Sequence, residues 1–319
     1  MIQSLKFVST KDGEQVAIWK VESATNDSTT MKRQNILLTH GTFSDKKVCL
    51  GIANYLAKLG HVCYIMEWRG HGDSPKPTAK FNFETIATYD FAATFQYLFD
   101  DLELDNLHCV THSGGGICLT MFLIQNPCYI DKINSIILFA CQAYGAALDP
   151  SSYAKVFAIK TFNRLLGFIP AKLLKLGTVN ESYDTMAQWF DWNLHKNFNS
   201  SFVKAIDITD SGTGDIDNIH TNKTPKDTSN DKCLDYRQYM AMITTPIYAI
   251  SGSGDHLIAP SHGCQLFFDE FNHSANIFYE FSKSNGHLED YNHSRIMASR
   301  NAAKEVWPTV ATWIDKHTI

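Results

Sequence analysis

Short dense apolar runs recur along this chain, separated by polar turns and by longer stretches in which apolar residues return at helical spacing. Residues 5–9 and 15–21 alternate around Lys11-Asp12-Gly13-Glu14, and an Asp-Gly between alternating segments predicts a β-hairpin. After polar 22–34, the runs at 35–39, 62–66, 107–112, 133–140, 246–250 and 276–281 read as buried strands. Helical spacing over 48–59, 85–98, 261–271 and 295–316 predicts helices between and after them, with Gly60 stopping the first, and apolar 117–124 makes a further one. Strands alternating with helices call for a mostly parallel sheet covered on both faces. The loops that begin at His40, Glu67, Ser113 and Cys141 then share the carboxyl edge of that sheet, where ligands bind.

The alternation breaks from about Gln142 to Arg237. Residues 153–168 are amphipathic, with Lys155, Lys160 and Arg164 assigned to the polar side, and 186–192 are aromatic. Residues 207–231 hold almost no large hydrophobes and read as a mobile loop. The expectation is an α/β core of residues 1–141 and 238–319, with 142–237 inserted as a helical lid over the carboxyl edge.

With 319 residues, 44% hydrophobic and 19% charged, the chain can bury a large core. Its net charge of −5 offers no overall basic character for nucleic acid or an anionic membrane. Lys155, Lys160 and Arg164 suit a membrane surface or a solvated face, the second being commoner. Among 8 cysteines there is no C-x-x-C pair, and Cys63, Cys109, Cys118 and Cys141 fall inside predicted core elements, as in a reducing compartment. Residues 1–6 carry no secretory pattern and no apolar stretch is long enough for a bilayer, so a cytoplasmic protein is expected. The 13 histidines and the cysteines match no zinc spacing, and no G-x-G-x-x-G with its acidic partner follows a strand. Neither metal nor nucleotide cofactor is expected.

The candidate chemistry centres on Thr111-His112-Ser113-Gly114-Gly115. Between a strand and a helix this is a G-x-S-x-G nucleophile turn with Thr111 in place of the first glycine. Read alone, Ser113 is equally a helix N-cap. A serine hydroxyl needs a base within hydrogen-bond reach and a carboxylate to orient that base. Asp255 and His287 each follow a predicted strand, and the order Ser113, Asp255, His287 supplies both. Asp255 has the alternative of forming a turn in Ser-Gly-Ser-Gly-Asp. His256 and His293 compete with His287, but the first precedes the last strand and the second is close to the final helix, so His287 is the expected base.

Taken together, these residues resemble the α/β-hydrolase superfamily of serine esterases and lipases, and most of all bacterial members with a helical lid. The likeness rests on His40-Gly41, on Trp68-Arg69-Gly70-His71-Gly72-Asp73-Ser74, on the Ser113 turn, on Asp255 with Ile258-Ala259-Pro260, and on Gly286-His287. It implies an eight-stranded, mostly parallel sheet flanked by helices, and Ser113, Asp255 and His287 as catalytic residues forming an acyl-enzyme on a carboxylic ester. It further implies an oxyanion hole from the backbone N–H of Gly114 and Thr42, with His40, Phe43, His112 and Trp189 bordering a small-molecule or lipid ester. No cofactor, nucleic acid or stable membrane insertion follows from it, and a homodimer is one expected assembly. Phe157, Ile159, Phe162, Leu165, Phe168, Trp189 and Trp192 are expected either to line an acyl pocket or to pack within the lid. The same triad suits a thioesterase or a peptidase; the prolyl aminopeptidase type carries Gly-Gly-Pro where this chain has Gly41-Thr42-Phe43. A non-catalytic binding protein of the same fold is the alternative outside enzymes.

Overall fold

Every residue of β5 (His108–His112) and β6 (Ser135–Phe139) is buried, as expected of β-branched and apolar runs covered by helices on both faces. The computed structural model of the chain describes residues 1–24, 32–174, 176–204 and 233–318, with backbone alone at 203–204. The hairpin forms as β1 (Ile2–Ser9) and β2 (Gln15–Glu22), paired antiparallel. With β3 (Asn35–Thr39) and β4 (Val62–Glu67) they begin a sheet completed by β11 (Ile247–Gly252) and β12 (Ile277–Phe281). Its eight strands run in the order β1-β2-β4-β3-β5-β6-β11-β12. β2 meets β4 antiparallel, and every pairing from β4 to β12 is parallel. The mostly parallel eight-stranded α/β sheet is therefore as expected.

One face of the sheet packs on α1 (Lys47–Lys58) and on the C-terminal helices. The predicted single helix over 295–316 is instead α10 (Arg295–Ala298), α11 (Ala302–Glu305) and α12 (Trp307–Lys316). Pro308 stands in the first turn of α12, where its missing N–H costs nothing; inside a continuous helix it would have removed a hydrogen bond. On the other face lie α2 (Phe83–Thr85), α3 (Ala92–Gln96) and α4 (Gly114–Gln125). Two π-helical turns, Ile86–Phe91 and Tyr97–Asp101, continue α2 and α3 as one rod. α9 (Ser261–Phe268) joins β11 to β12.

Between β6 and β11 the chain builds α5 (Pro150–Leu166), β7 (Phe168–Ile169), α6 (Ala171–Leu174), β8 (Glu181–Ser182), α7 (Tyr183–His195) and β9 (Asn199–Lys204), and later β10 (Cys233–Asp235) and α8 (Arg237–Met240). The loop expected over 207–231 lies outside the described residues. Buried polar groups clamp this insertion to the sheet layer. Glu84 accepts from Ser200 Oγ at 2.5 Å, Ser201 N at 2.6 Å, Tyr236 Oη at 2.8 Å and Gln188 Nε2 at 2.8 Å. Asn193 donates to the Ala143 carbonyl and accepts from Ala146 N. Such fully satisfied networks fix one geometry where apolar contact alone would allow sliding.

Candidate active site

The turn after β5 forces Ser113 to φ 53°, ψ −124°, a backbone conformation that non-glycine residues rarely adopt. Its N–H bonds the Phe139 carbonyl at 2.8 Å and its carbonyl accepts from Gly116 at 3.0 Å, so the surroundings hold the strain. Close approach explains two of the glycines. A Cβ on Gly41 would stand 2.6 Å from Ser113 Cβ, and one on Gly115 would stand 2.6 Å from the His40 carbonyl oxygen. Thr111, the departure from the usual pattern, donates to the Ile137 carbonyl at 3.2 Å and occupies space left by Gly116, whose Cβ would lie 2.9 Å from the threonine Oγ1.

The side chain that reaches Ser113 is His293. Its Nε2 lies 2.9 Å from Ser113 Oγ and its Nδ1 lies 2.6 Å from Asp255 Oδ2. Because the carboxylate only accepts, Nδ1 carries the hydrogen, leaving Nε2 to accept from the serine hydroxyl. Asp255 also accepts from the N–H of Ile258 at 3.1 Å and of Ala259 at 3.0 Å. Burial pushes its carboxyl up, but the imidazole and these donors outweigh burial and hold it below the ordinary carboxylate range.

His287, the expected base, is elsewhere. Its Nε2 is 3.0 Å from Tyr279 Oη, its Nδ1 is 3.5 Å from Glu305 Oε2, and its ring packs on Phe281. The cause is the loop after β12. The chain turns tightly through Gly286 at φ 87°, which returns the His287 N–H to the Ser282 carbonyl, and only then crosses the sheet edge. There residues 290–291 lie so close to Gly252 and Gly254 that a Cβ on either would meet a backbone oxygen within 2.5 Å. This crossing delivers His293. The paired glycines of Ser251-Gly252-Ser253-Gly254 were the available signal: they require another segment of backbone against the turn.

The other expected site residues divide. Thr42, Phe43, Gly114 and Trp189 line the same cavity as Ser113. His40 and His112 do not line it. His40 is fully buried; Trp68 N donates to its Nε2 at 3.2 Å, so Nδ1–H donates to the Gly41 carbonyl at 2.8 Å and braces the loop from below. His112 is buried against His293, and its Nε2–H holds the His293 carbonyl at 2.8 Å. Desolvation, with the neighbouring His293, lowers the His112 pKa to about 3.

The insertion contributes to this loop as well. Glu181 accepts from Phe43 N at 3.3 Å and lies 3.1 Å from His71 Nε2, while the Phe43 carbonyl accepts from Thr178 and Val179. Phe43 is thereby held at φ 65°. Burial pushes His71 down, yet Glu181 reverses the balance and leaves its pKa raised. Glu181 gave no sequence signal, being an isolated acidic residue in an irregular stretch.

The cavity, about 50 Å³ and open at one side, is lined by Phe83 and Ile258 from the sheet layer and by Val156, Ile159, Ile169, Met186 and Phe190 from the insertion. Of the apolar residues expected there, Ile159 and Trp189 take part. Trp192 is buried against Phe83 and Phe198 instead, and Phe157, Phe162, Leu165 and Phe168 face outward.

Residues 34–289 match the family model for the alpha/beta hydrolase fold, and the chain belongs to that family. A thermophilic esterase from Thermogutta terrifontis, solved with malate bound, superposes with a TM-score of 0.60 at 13% identity, covering 99% of this chain and 100% of its own. An esterase from Exiguobacterium antarcticum gives 0.61 at 14% identity over 97% and 98%. Mouse alpha/beta hydrolase domain-containing protein 10 gives 0.59 at 15% identity over 99% and 100%. At these identities the likeness is one of fold. No curated protein sequence matches. Among the described residues, no helix is long and apolar enough to cross a membrane.

Proposed function

We propose that the protein is a serine hydrolase that cleaves carboxylic esters through an acyl-enzyme on Ser113. The observation that carries this reading is the hydrogen-bonded chain Ser113 Oγ, His293, Asp255, opening on an apolar cavity. His293 Nε2 takes the hydroxyl proton as Oγ attacks the ester carbonyl carbon, and Asp255 holds the imidazolium that forms. The carbonyl oxygen becomes an oxyanion facing the backbone N–H of Gly114 and Thr42, both in the cavity wall. His293 returns the proton to the leaving alkoxide as the C–O bond breaks. Water, deprotonated by the same imidazole, then attacks the acyl-enzyme and releases the acid and free Ser113. The predominantly apolar wall favours an acyl group with a hydrocarbon chain.

A fluorophosphonate probe tests the nucleophile directly. The adduct is expected on the peptide containing Ser113, and Ser113→Ala should remove it. Labelling at another serine, or labelling that survives the substitution, contradicts the proposal.

A further inference from the structure

Helix α5 stands the usual order of a surface helix on its head. It buries Val156 and Asn163, with Ile159 half-buried beside the cavity, along one stripe. Away from that stripe at helical spacing stand Phe157, Leu165 and Phe162, with Ala154, Ala158 and Thr161 among them. Phe157 is 56% exposed and Leu165 80%. Lys155 and Arg164 flank this apolar face on either side and are themselves exposed. Exposed apolar side chains recur past the helix at Phe168, at Leu173 of α6, which is 81% exposed, and at Leu176. Leu176 also lines the cavity that contains Ser113, so the outer surface and the pocket share a wall. Charge follows the same boundary. Between Pro150 and Asn180 the sequence holds five lysines and arginines, of which Lys160 is paired with Asp191 of α7, and no aspartate or glutamate, in a chain whose net charge is −5.

We propose that this face, the outer side of α5 with Phe168 and α6, docks the protein on an anionic lipid surface, and that ester substrates pass from that surface along Leu176 to Ser113. Aromatic and leucine side chains flanked by cations are the composition that inserts at the headgroup boundary of anionic bilayers. A second copy of the chain suits the face less well, since a two-fold contact would bring two faces of the same positive sign together. The passage of substrate rests on the reading of Ser113 as nucleophile; the docking does not.

The test is co-sedimentation of full-length Ser113→Ala with vesicles of phosphatidylcholine alone and of phosphatidylcholine with phosphatidylglycerol. Binding is expected to the anionic vesicles and to weaken with salt. Adding Phe157→Glu and Leu165→Glu should weaken it by about tenfold or more. Adding Lys155→Glu and Arg164→Glu instead should weaken it with loss of the salt dependence. In an otherwise wild-type chain the Phe157→Glu, Leu165→Glu pair should hydrolyse a soluble p-nitrophenyl ester within about twofold of normal, which shows the fold intact. Failure to sediment with anionic vesicles, or sedimentation indifferent to both pairs, overturns the docking. So does a dimer that the pair at Phe157 and Leu165 dissociates, which would give the face to a second copy. Vesicle binding without hydrolysis of any ester leaves the docking standing and removes the nucleophile; hydrolysis of soluble esters without vesicle binding does the reverse.

Discussion

Helices α4 and α5 lie on either side of the same cavity and bury opposite proportions of themselves. α4 buries every residue from Gly114 to Ile124 and has no polar face, whereas the 17-residue α5 buries only Val156 and Asn163. Removal of apolar surface from water accounts for the first, because a helix apolar all round is stable only inside a core. It does not account for the second, which keeps large apolar side chains in water and is held by a few points such as the Lys160–Asp191 ion pair and the Asn163 bond to the Tyr183 carbonyl. Burial thus separates a part of the molecule that specifies the fold from a part whose exposed apolar surface contributes little to it. Substitutions should therefore move stability on one side and interaction on the other.

The largest expected difference is in stability. Phe122→Ala on α4 removes a fully buried ring packed at a tilt against Phe91, Phe95 and Tyr129, and should cost about 3–5 kcal/mol in a urea denaturation series. A cost near zero there would mean that the α4 side is not the core. Next comes the close approach beneath the serine turn. Gly41→Ala places a methyl against Ser113 and the backbone of His112 and Gly114, so ester hydrolysis should fall by about a hundredfold while circular dichroism stays native.

Buried histidines on the core side give a smaller, pH-dependent effect. Burial, helped by His61 and His317, lowers the His108 pKa to about 3. As pH falls below about 6.5 the unfolded chain takes up a proton that the folded chain refuses, so this residue removes about 1.4 kcal/mol of stability per pH unit until the folded pKa is reached. His108→Asn can keep the bond to Ser135 while losing the titration, and should flatten the dependence of stability on pH by that slope. An unchanged slope would show that His108 is already charged in the fold. Smallest of all, Leu165→Ala on α5 should shift stability by no more than about 0.5 kcal/mol, since the side chain is 80% exposed. A loss like that of Phe122→Ala would erase the contrast between the two helices.

Much of the sheet was legible because parallel strands, buried on both faces, announce themselves as apolar runs between turns. The serine turn and Asp255 were legible for a related reason: each stands directly after such a run, where a short loop leaves little freedom of placement. The base was not. His287 also follows a strand, but Gly286 turns its loop back and the chain crosses to Ser113 only at His293, a path set by contacts with Gly252 and Gly254 that are distant in sequence. The direction of α5 was missed because periodicity marks two faces without saying which points inward. Apolar character alone puts Phe157 and Leu165 inside, whereas the structure has them outside. Residue type suggests His40 and His112 as neighbours of substrate, whereas their hydrogen bonds commit them to holding backbone.

The most direct test of the central claim compares hydrolysis of a p-nitrophenyl ester by Ser113→Ala, His293→Ala and His287→Ala. The hydrogen-bonded chain predicts that the first two each lose at least about ten-thousandfold in kcat, that their combination is no worse than either, and that His287→Ala stays within about tenfold of the wild type. Loss of activity in His287→Ala with activity kept in His293→Ala would contradict the assignment of the base, and full activity in Ser113→Ala would contradict the mechanism itself.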